Sequence, residues 1–118
     1  MAQSHDLGKK GESLACDFLA SLGFSILERN YRWQKIEVDI IAQNQDYIIF
    51  VEVKTRTRRV EQPVQFIPRS KQNRMVRLAD AYVVAKEIDK EVRFDLIIID
   101  VSDNYRLAHY PSVFVPQW

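Results

Sequence analysis

Four residues near the middle of this 118-residue chain have the types and spacing for phosphoryl chemistry: Glu37, Asp39, Glu52 and Lys54. They sit in two neighbouring apolar runs, Glu37-Val38-Asp39-Ile40-Ile41-Ala42 and Tyr47-Ile48-Ile49-Phe50-Val51-Glu52-Val53-Lys54. Both runs read as strands, and strand side chains alternate faces with period two. Glu37, Asp39 and Ile41 therefore share one face of the first strand, and Ile48, Phe50, Glu52 and Lys54 one face of the second. Like charges opposed across strands are destabilising, and an unpaired buried charge costs several kcal/mol. A divalent cation removes that conflict. Two carboxylates with waters, a backbone carbonyl and a substrate phosphate suit Mg²⁺ or Mn²⁺. Asp39 and Glu52 are the expected metal acids, the Val53 carbonyl the expected backbone ligand, and Glu37 an auxiliary acid. Lys54 would orient or deprotonate a water at the metal, or stabilise a charged phosphoryl transition state. The competing reading is a solvated Glu52–Lys54 pair at a sheet edge with Glu37 and Asp39 facing solvent. The tripeptide alone favours that reading; a central position for its strand and an acid at the right place next door favour the site.

The surrounding elements must deliver this geometry. Gly8 to Leu22 has the helical period, with Leu7, Gly11, Leu14, Ala15, Phe18, Leu19 and Leu22 recurring on one face and Gly23 placed to end it. If this helix packs on the same end of the sheet, Glu12 supplies another metal or water contact. Ser25 to Tyr31 reads as a short strand, with a polar turn from Arg32 to Lys35. Gln43-Asn44-Gln45-Asp46 separates the two acid-bearing strands as a hairpin turn. Closing it at Asn44-Gln45 puts Glu37 opposite Glu52 and Asp39 opposite Phe50, so Asp39 and Glu52 become diagonal neighbours, with Cα atoms about 7–8 Å apart. The same register sets Val38, Ile40 and Ala42 opposite Val51, Ile49 and Tyr47 as an apolar face. The second strand is apolar on both faces and reads as central. Thr55 to Pro68 is a loop; Ser70 looks like an N-cap, and Lys71 to Lys86 fits a helix with Met75, Leu78, Ala79, Tyr82 and Val83 inward. Val92 to Val101 is another buried strand, and His109 to Val115 an edge strand. The expected fold is α/β, in one domain over residues 1–118, with order α-β-β-β-α-β and a mixed central sheet flanked by helices.

Composition narrows the alternatives. The chain is 47% hydrophobic and 28% charged, ordinary for a globular domain. One cysteine, Cys16, excludes an intrachain disulfide and reads as a packed small hydrophobe. No apolar run approaches a membrane span, and the polar start Met1-Ala2-Gln3-Ser4-His5-Asp6 lacks a signal-peptide core, so a cytoplasmic setting is expected. Three glycines exclude a glycine-rich phosphate loop, and two histidines with one cysteine exclude a Cys/His zinc site. The formal net charge of +1 hides an asymmetry. Between Lys54 and Arg77 stand Lys54, Arg56, Arg58, Arg59, Arg69, Lys71, Arg74 and Arg77 against only Glu61. Beside a metal site such a block favours a polyanion, with Arg56, Arg58, Arg59, Lys71 and Arg74 as phosphate contacts. His5 and His109 read as incidental, Asp95 as a structural partner of Arg93 or a strand-end donor, and Trp33 as partly core.

Asp39, twelve residues, then Glu52-Val53-Lys54 resembles the PD-(D/E)xK nuclease superfamily, and the element order is similar to its core. More closely, the chain resembles the YraN-like family of bacterial proteins, which is compared with archaeal Holliday-junction resolvases. The matching pieces are Gly8-Lys9-Lys10-Gly11-Glu12 with Ala15, Asn30-Tyr31-Arg32, the Glu37 to Ala42 run, and Phe50 to Arg56, with Lys71, Arg93-Phe94-Asp95 and His109 to Phe114. The resemblance implies a restriction-endonuclease-like core in which Asp39 and Glu52 hold the metal, Lys54 is catalytic and Glu12 is the acid of the first helix. The chain departs from the family in carrying Ile36 where glycine usually precedes the Glu-x-Asp segment.

The expected function is a Mg²⁺- or Mn²⁺-dependent nuclease acting on DNA, including branched or structured DNA, by attack of a metal-activated water on a phosphodiester. Symmetric cutting of a junction would call for a homodimer. Two other classes stay open: a nucleic-acid-binding module of the same fold without turnover, and a protein-interaction domain whose basic stretch meets an acidic partner.

Overall fold

The chain forms α1 (Ala2–Ser21), β1 (Ser25–Trp33), β2 (Ile36–Gln43), β3 (Tyr47–Arg56), a 3-10 turn at Pro63–Phe66, α2 (Arg69–Ala85), β4 (Glu91–Asp100), a second 3-10 turn at Val101–Asp103, and β5 (Arg106–Phe114). This computed structural model describes the backbone of residues 2–57 and 62–116, and side chains from residue 8 onward. Arg58 and Arg59, and the side chains of His5 and Leu7, lie outside the described residues. The strands make one mixed sheet in the order β1-β2-β3-β4-β5. Only β3 and β4 run parallel; the other neighbours are antiparallel. The α/β class and element order read from the sequence are present, β5 supplies the extra edge strand, and β3 is the central strand. Among the described residues no helix is long and apolar enough to cross a membrane.

Period-two alternation sorts the sheet's apolar side chains between two helices. Ile40, Ala42, Ile49, Val51, Ile97 and Ile99 form one core with Ala15, Cys16 and Leu19 of α1. Ile41, Ile48, Phe50, Phe94, Leu96 and Ile98 form the other with Met75, Leu78, Ala79 and Tyr82 of α2. Parallel neighbours need a long crossover, and α2 is that connection between β3 and β4. Trp33 is partly buried against the α2-side core, as expected. Leu22 is not inward but 50% exposed, because α1 stops before it. There the Phe24 N–H donates to the Leu19 carbonyl and the Gly23 N–H to that of Ala20, with Gly23 at φ 94°. That is the left-handed glycine stop the sequence indicates. The second helix starts at Arg69, two residues before the expected Lys71. Pro68 occupies the N-cap with no side-chain cap, so Ser70 is not the cap.

Two turns differ from the sequence reading. The β1–β2 turn is tighter than a loop from Arg32 to Lys35: Trp33 pairs with Ile36, and Gln34 and Lys35 alone turn the chain at φ 48° and 68°. Neither is the Gly or Asn that usually marks such a turn, so β1 runs on to Trp33 unannounced. In the β2–β3 turn, the Asn44 side-chain oxygen accepts the N–H groups of Asp46 (2.9 Å) and Tyr47 (2.8 Å), and the Asn44 N–H donates to the Tyr47 carbonyl. This centres the turn on Gln45-Asp46, one residue later than expected, and moves the β2–β3 register by two.

Asp95 is the buried charge that ties β4 to β5. It is 0% exposed and accepts from Arg93 Nε (2.9 Å) and Nη2 (2.8 Å) and from the Ser112 N–H (3.0 Å), with His109 Nε2 at 2.9 Å. Ser112 stands at φ 52° within this arrangement. Arg93 also lies 4.7 Å from the Tyr47 ring centroid. The expected Arg93 partner is there, and His109 is part of the cluster, not incidental. Burial alone would raise the Asp95 carboxyl; the bonds from His109, Arg93 and Ser112 outweigh it and hold the group below its ordinary value. Its stabilising effect is therefore complete above the unfolded carboxyl value and is lost as pH falls through the lower folded one. Asp95→Asn should cost about 3–5 kcal/mol at pH 7, because it leaves Arg93 without its partner. In urea titrations at stepped pH, the gap to wild type should narrow only below about pH 4. An equal gap at pH 3 and pH 7 contradicts this account.

Candidate functional site

The β2–β3 ladder runs from Gln43–Ile48 to Ile40–Val51 and stops there. Beyond it the Asp39 side chain does what a β2 carbonyl would have done: Oδ2 accepts the Val53 N–H at 2.7 Å. The expected register paired Asp39 with Phe50 and Glu37 with Glu52. Phe50 instead pairs with Ile41. Continued past Val51, the ladder brings Asp39 level with Glu52 rather than diagonal to it. Glu37 does not oppose Glu52; it is exposed and acts through its charge on Glu12.

β2 leaves β3 because its alternation breaks at Asp39. Ile40 and Ala42 belong to the α1-side core, whereas Ile36 and Val38 pack with the α2-side core. The expected single apolar face of Val38, Ile40 and Ala42 is thus divided. Across the β1 boundary, Arg29 pairs with Ile40 and Tyr31 with Val38. Asn30 between them stands at φ 51°, in the left-handed region. Asparagine tolerates that backbone better than most residues. Here the sequence signal was present in Asn30-Tyr31-Arg32 and its geometric meaning was not.

Glu52 is 6% exposed and held by two lysines. Lys71 Nζ, from the first turn of α2, lies 2.5 Å from Oε2; Lys54 Nζ lies 3.7 Å from Oε1. Sequence reasoning placed Lys71 on phosphate; the structure places it on the acid. Asp39 is half-buried, and its carboxyl is held well above the usual carboxylate range. Burial is the main cause and the facing Glu52 the next, against the Val53 N–H. Lys54 is pushed the other way, mainly by burial and further by the charges of Lys71 and Arg56, with Glu52 opposing.

Glu12 reaches this region from α1. Burial raises its carboxyl; Arg29 and Asn30 oppose that, while Glu37 and Glu52 add to it. Its Oε1 is buried with no hydrogen-bond partner. Buried polar atoms are nearly always satisfied, so such an orphan oxygen marks a site wanting a donor or a cation. Among the described residues no group of three or more His, Cys, Asp or Glu side chains could hold a metal alone. A smaller donor set, Asp39, Glu52 and the Val53 carbonyl, could hold a Mg²⁺ ion only with waters or other oxygens completing its shell. Of the expected phosphate contacts, Arg56 is half-buried, its guanidinium 4.4 Å from the Phe66 ring centroid, and Arg74 is exposed on α2.

A family model described as "Uncharacterised protein family UPF0102" matches residues 11–99, the span holding all the acids and lysines above. A UPF0102 protein of Flavobacterium psychrophilum is 39% identical over 116 residues, covering 97% of this chain and 98% of its own. One of Christiangramia forsetii is 46% identical over 116 residues, with 97% and 98% covered, and one of Bacteroides thetaiotaomicron 40% over 118 residues, with 98% of each covered. The chain belongs to the UPF0102 family.

Gly11 fixes how closely α1, and with it Glu12, approaches the sheet. A Cβ there would stand 2.5 Å from Thr55 Cγ2 and 3.5 Å from Ile99 Cδ1. A Cβ on Gly8 meets nothing within 4 Å. Gly8→Ala should therefore stabilise by about 0.5–1 kcal/mol through helix propensity. Gly11→Ala gains the same propensity but overpacks, at about 1–3 kcal/mol, for a net loss. Adding Thr55→Ser, which removes the clashing methyl, should recover most of it. Thermal melts of the three variants check this; a Gly11→Ala melt above wild type contradicts it.

Proposed function

We propose that this protein is a divalent-metal-dependent nuclease of the PD-(D/E)xK type that cleaves DNA, with branched or structured DNA as the favoured substrate. The observation that carries the proposal is the Asp39 carboxylate seated on the Val53 N–H at the point where β2 parts from β3, level with buried Glu52. The Val53 N–H accounts for Asp39, but not for a second, buried acid level with it. Asp39, Glu52 and the Val53 carbonyl would hold Mg²⁺ or Mn²⁺, and the unpartnered Glu12 oxygen would hold a water beside them. Bound there, the ion supplies Lewis acidity, making a water nucleophilic at neutral pH and offsetting phosphate charge. The chain's own residues do the rest. Glu52 lies against two ammonium groups, those of Lys54 and Lys71. Lys54 orients the nucleophile and steadies charge developing on phosphorus. Arg74, with Arg58 and Arg59 from the sequence, would position flanking phosphates. A cytoplasmic location suits the buried reduced thiol of Cys16.

A second reading has one observation in its favour. Both Glu52 oxygens already face lysines, which is also how a site that binds nucleic acid without turnover would look. Cleavage assays separate the two. With Mg²⁺ or Mn²⁺, wild type should cut at least one of single-stranded, duplex, flap and four-way DNA, and EDTA should abolish the activity. Asp39→Ala and Glu52→Ala should each lose more than the roughly 10–100-fold that removal of an outer-shell partner costs. No cleavage of any substrate, or Asp39→Ala cutting as well as wild type, removes the nuclease reading. Salt-sensitive binding without cutting would then favour the binding module.

A further inference from the structure

Lys71 is placed for more than phosphate contact. It sits in the first turn of α2, its ammonium on Glu52 Oε2 while Lys54 faces Oε1, and the two lysines lie close enough to act on each other. The Glu52 side chain is 8% exposed and that of Lys71 25%. A desolvated carboxylate with one direct cation contact is satisfied as it stands. Bringing a divalent ion onto Glu52 adds a third cation to the two lysines around one carboxylate, and a lysine is what can move away. Its four-carbon stem can swing while α2 stays packed, and an ammonium with three rotatable donors binds phosphate as readily as carboxylate.

We infer that Lys71 is a resident counter-ion of Glu52 that an arriving divalent cation displaces, after which its ammonium turns to the substrate phosphate. This rests on the metal-dependent reading above and deepens it: metal and DNA phosphate would then bind cooperatively through one side chain. Lys71 is a positioning residue for the metal and becomes a direct phosphate contact only in the loaded state. The alternative is a permanent strut between α2 and β3, which has no bearing on metal affinity.

The test is Mn²⁺ binding to the full chain by calorimetry, without DNA, in wild type, Lys71→Met, Lys71→Arg and Arg77→Met. Removing the competitor should tighten Mn²⁺ binding about tenfold in Lys71→Met, the scale of a typical coupling between sites. Lys71→Arg, with a two-pronged grip on Glu52, should weaken it, and Arg77→Met, which removes an exposed charge from the same helix, should leave it unchanged. A companion measurement uses duplex DNA with Ca²⁺ in place of Mn²⁺. Lys71→Met should match wild type without divalent ion and fall behind it when Ca²⁺ is present. Mn²⁺ binding in Lys71→Met equal to or weaker than wild type overturns the inference while leaving the nuclease reading intact. No Mn²⁺ uptake by wild type or any variant overturns both. If Lys71→Met does not fold, Lys71→Arg decides alone: Mn²⁺ affinity at or above wild type counts against displacement.

Discussion

One backbone donor organises this end of the molecule. Every buried N–H needs an acceptor, and Val53 loses its ladder partner where β2 turns away. The Asp39 carboxylate takes the vacant place at 2.7 Å. That single bond fixes the acid level with Glu52 and holds the parting of the strands open. It also sets up a conflict. The N–H favours the charged carboxylate, whereas burial and the neighbouring acid oppose it more strongly. Local rules are broken at this point of the sheet while they hold along most of it, which is the pattern expected of sites kept for function rather than stability.

The rest of the scaffold limits how that bond can be made. β1 yields at Asn30, where a left-handed residue lets it follow β2 through its change of face. α1 comes close enough to present Glu12 because Gly11 has no side chain to hold it off Thr55. α2 must cross from β3 to β4, and its first turn brings Lys71 to Glu52 as it starts. Asp95, opposite Val51 on the neighbouring strand, is fully hydrogen-bonded and joins β4 to the edge strand β5.

Much of this was legible in the sequence. The β-branched runs at 37–42 and 47–54, the helical period of α1 and its glycine stop required only local pattern, and both helices cover the faces their spacing indicates. The central position of β3 followed from its apolar character on both sides. Asp39 and Glu52 were readable as partners, because a register error of two preserves which face a residue occupies. The detail was less accessible. The Asn44 side chain shifts the turn by one residue, and nothing in the letters distinguishes that turn from its neighbour. The face change at Asp39 depends on two cores pulling Val38 and Ile40 in opposite directions. Glu37 was drawn into the cluster by strict alternation that the real strand abandons. Lys71 read as a phosphate contact, since its contact with Glu52 exists only once the crossover has closed.

The paired lysines also shape what this surface looks like from outside. Past a Debye length, about 8 Å at physiological salt, a carboxylate lying against two ammonium groups is not felt as a negative charge. Burial also disfavours the charged forms of Asp39 and Glu12, which weakens the negative field of the two acids. A polyanion diffusing in would meet a smaller electrostatic barrier there than the count of acids suggests.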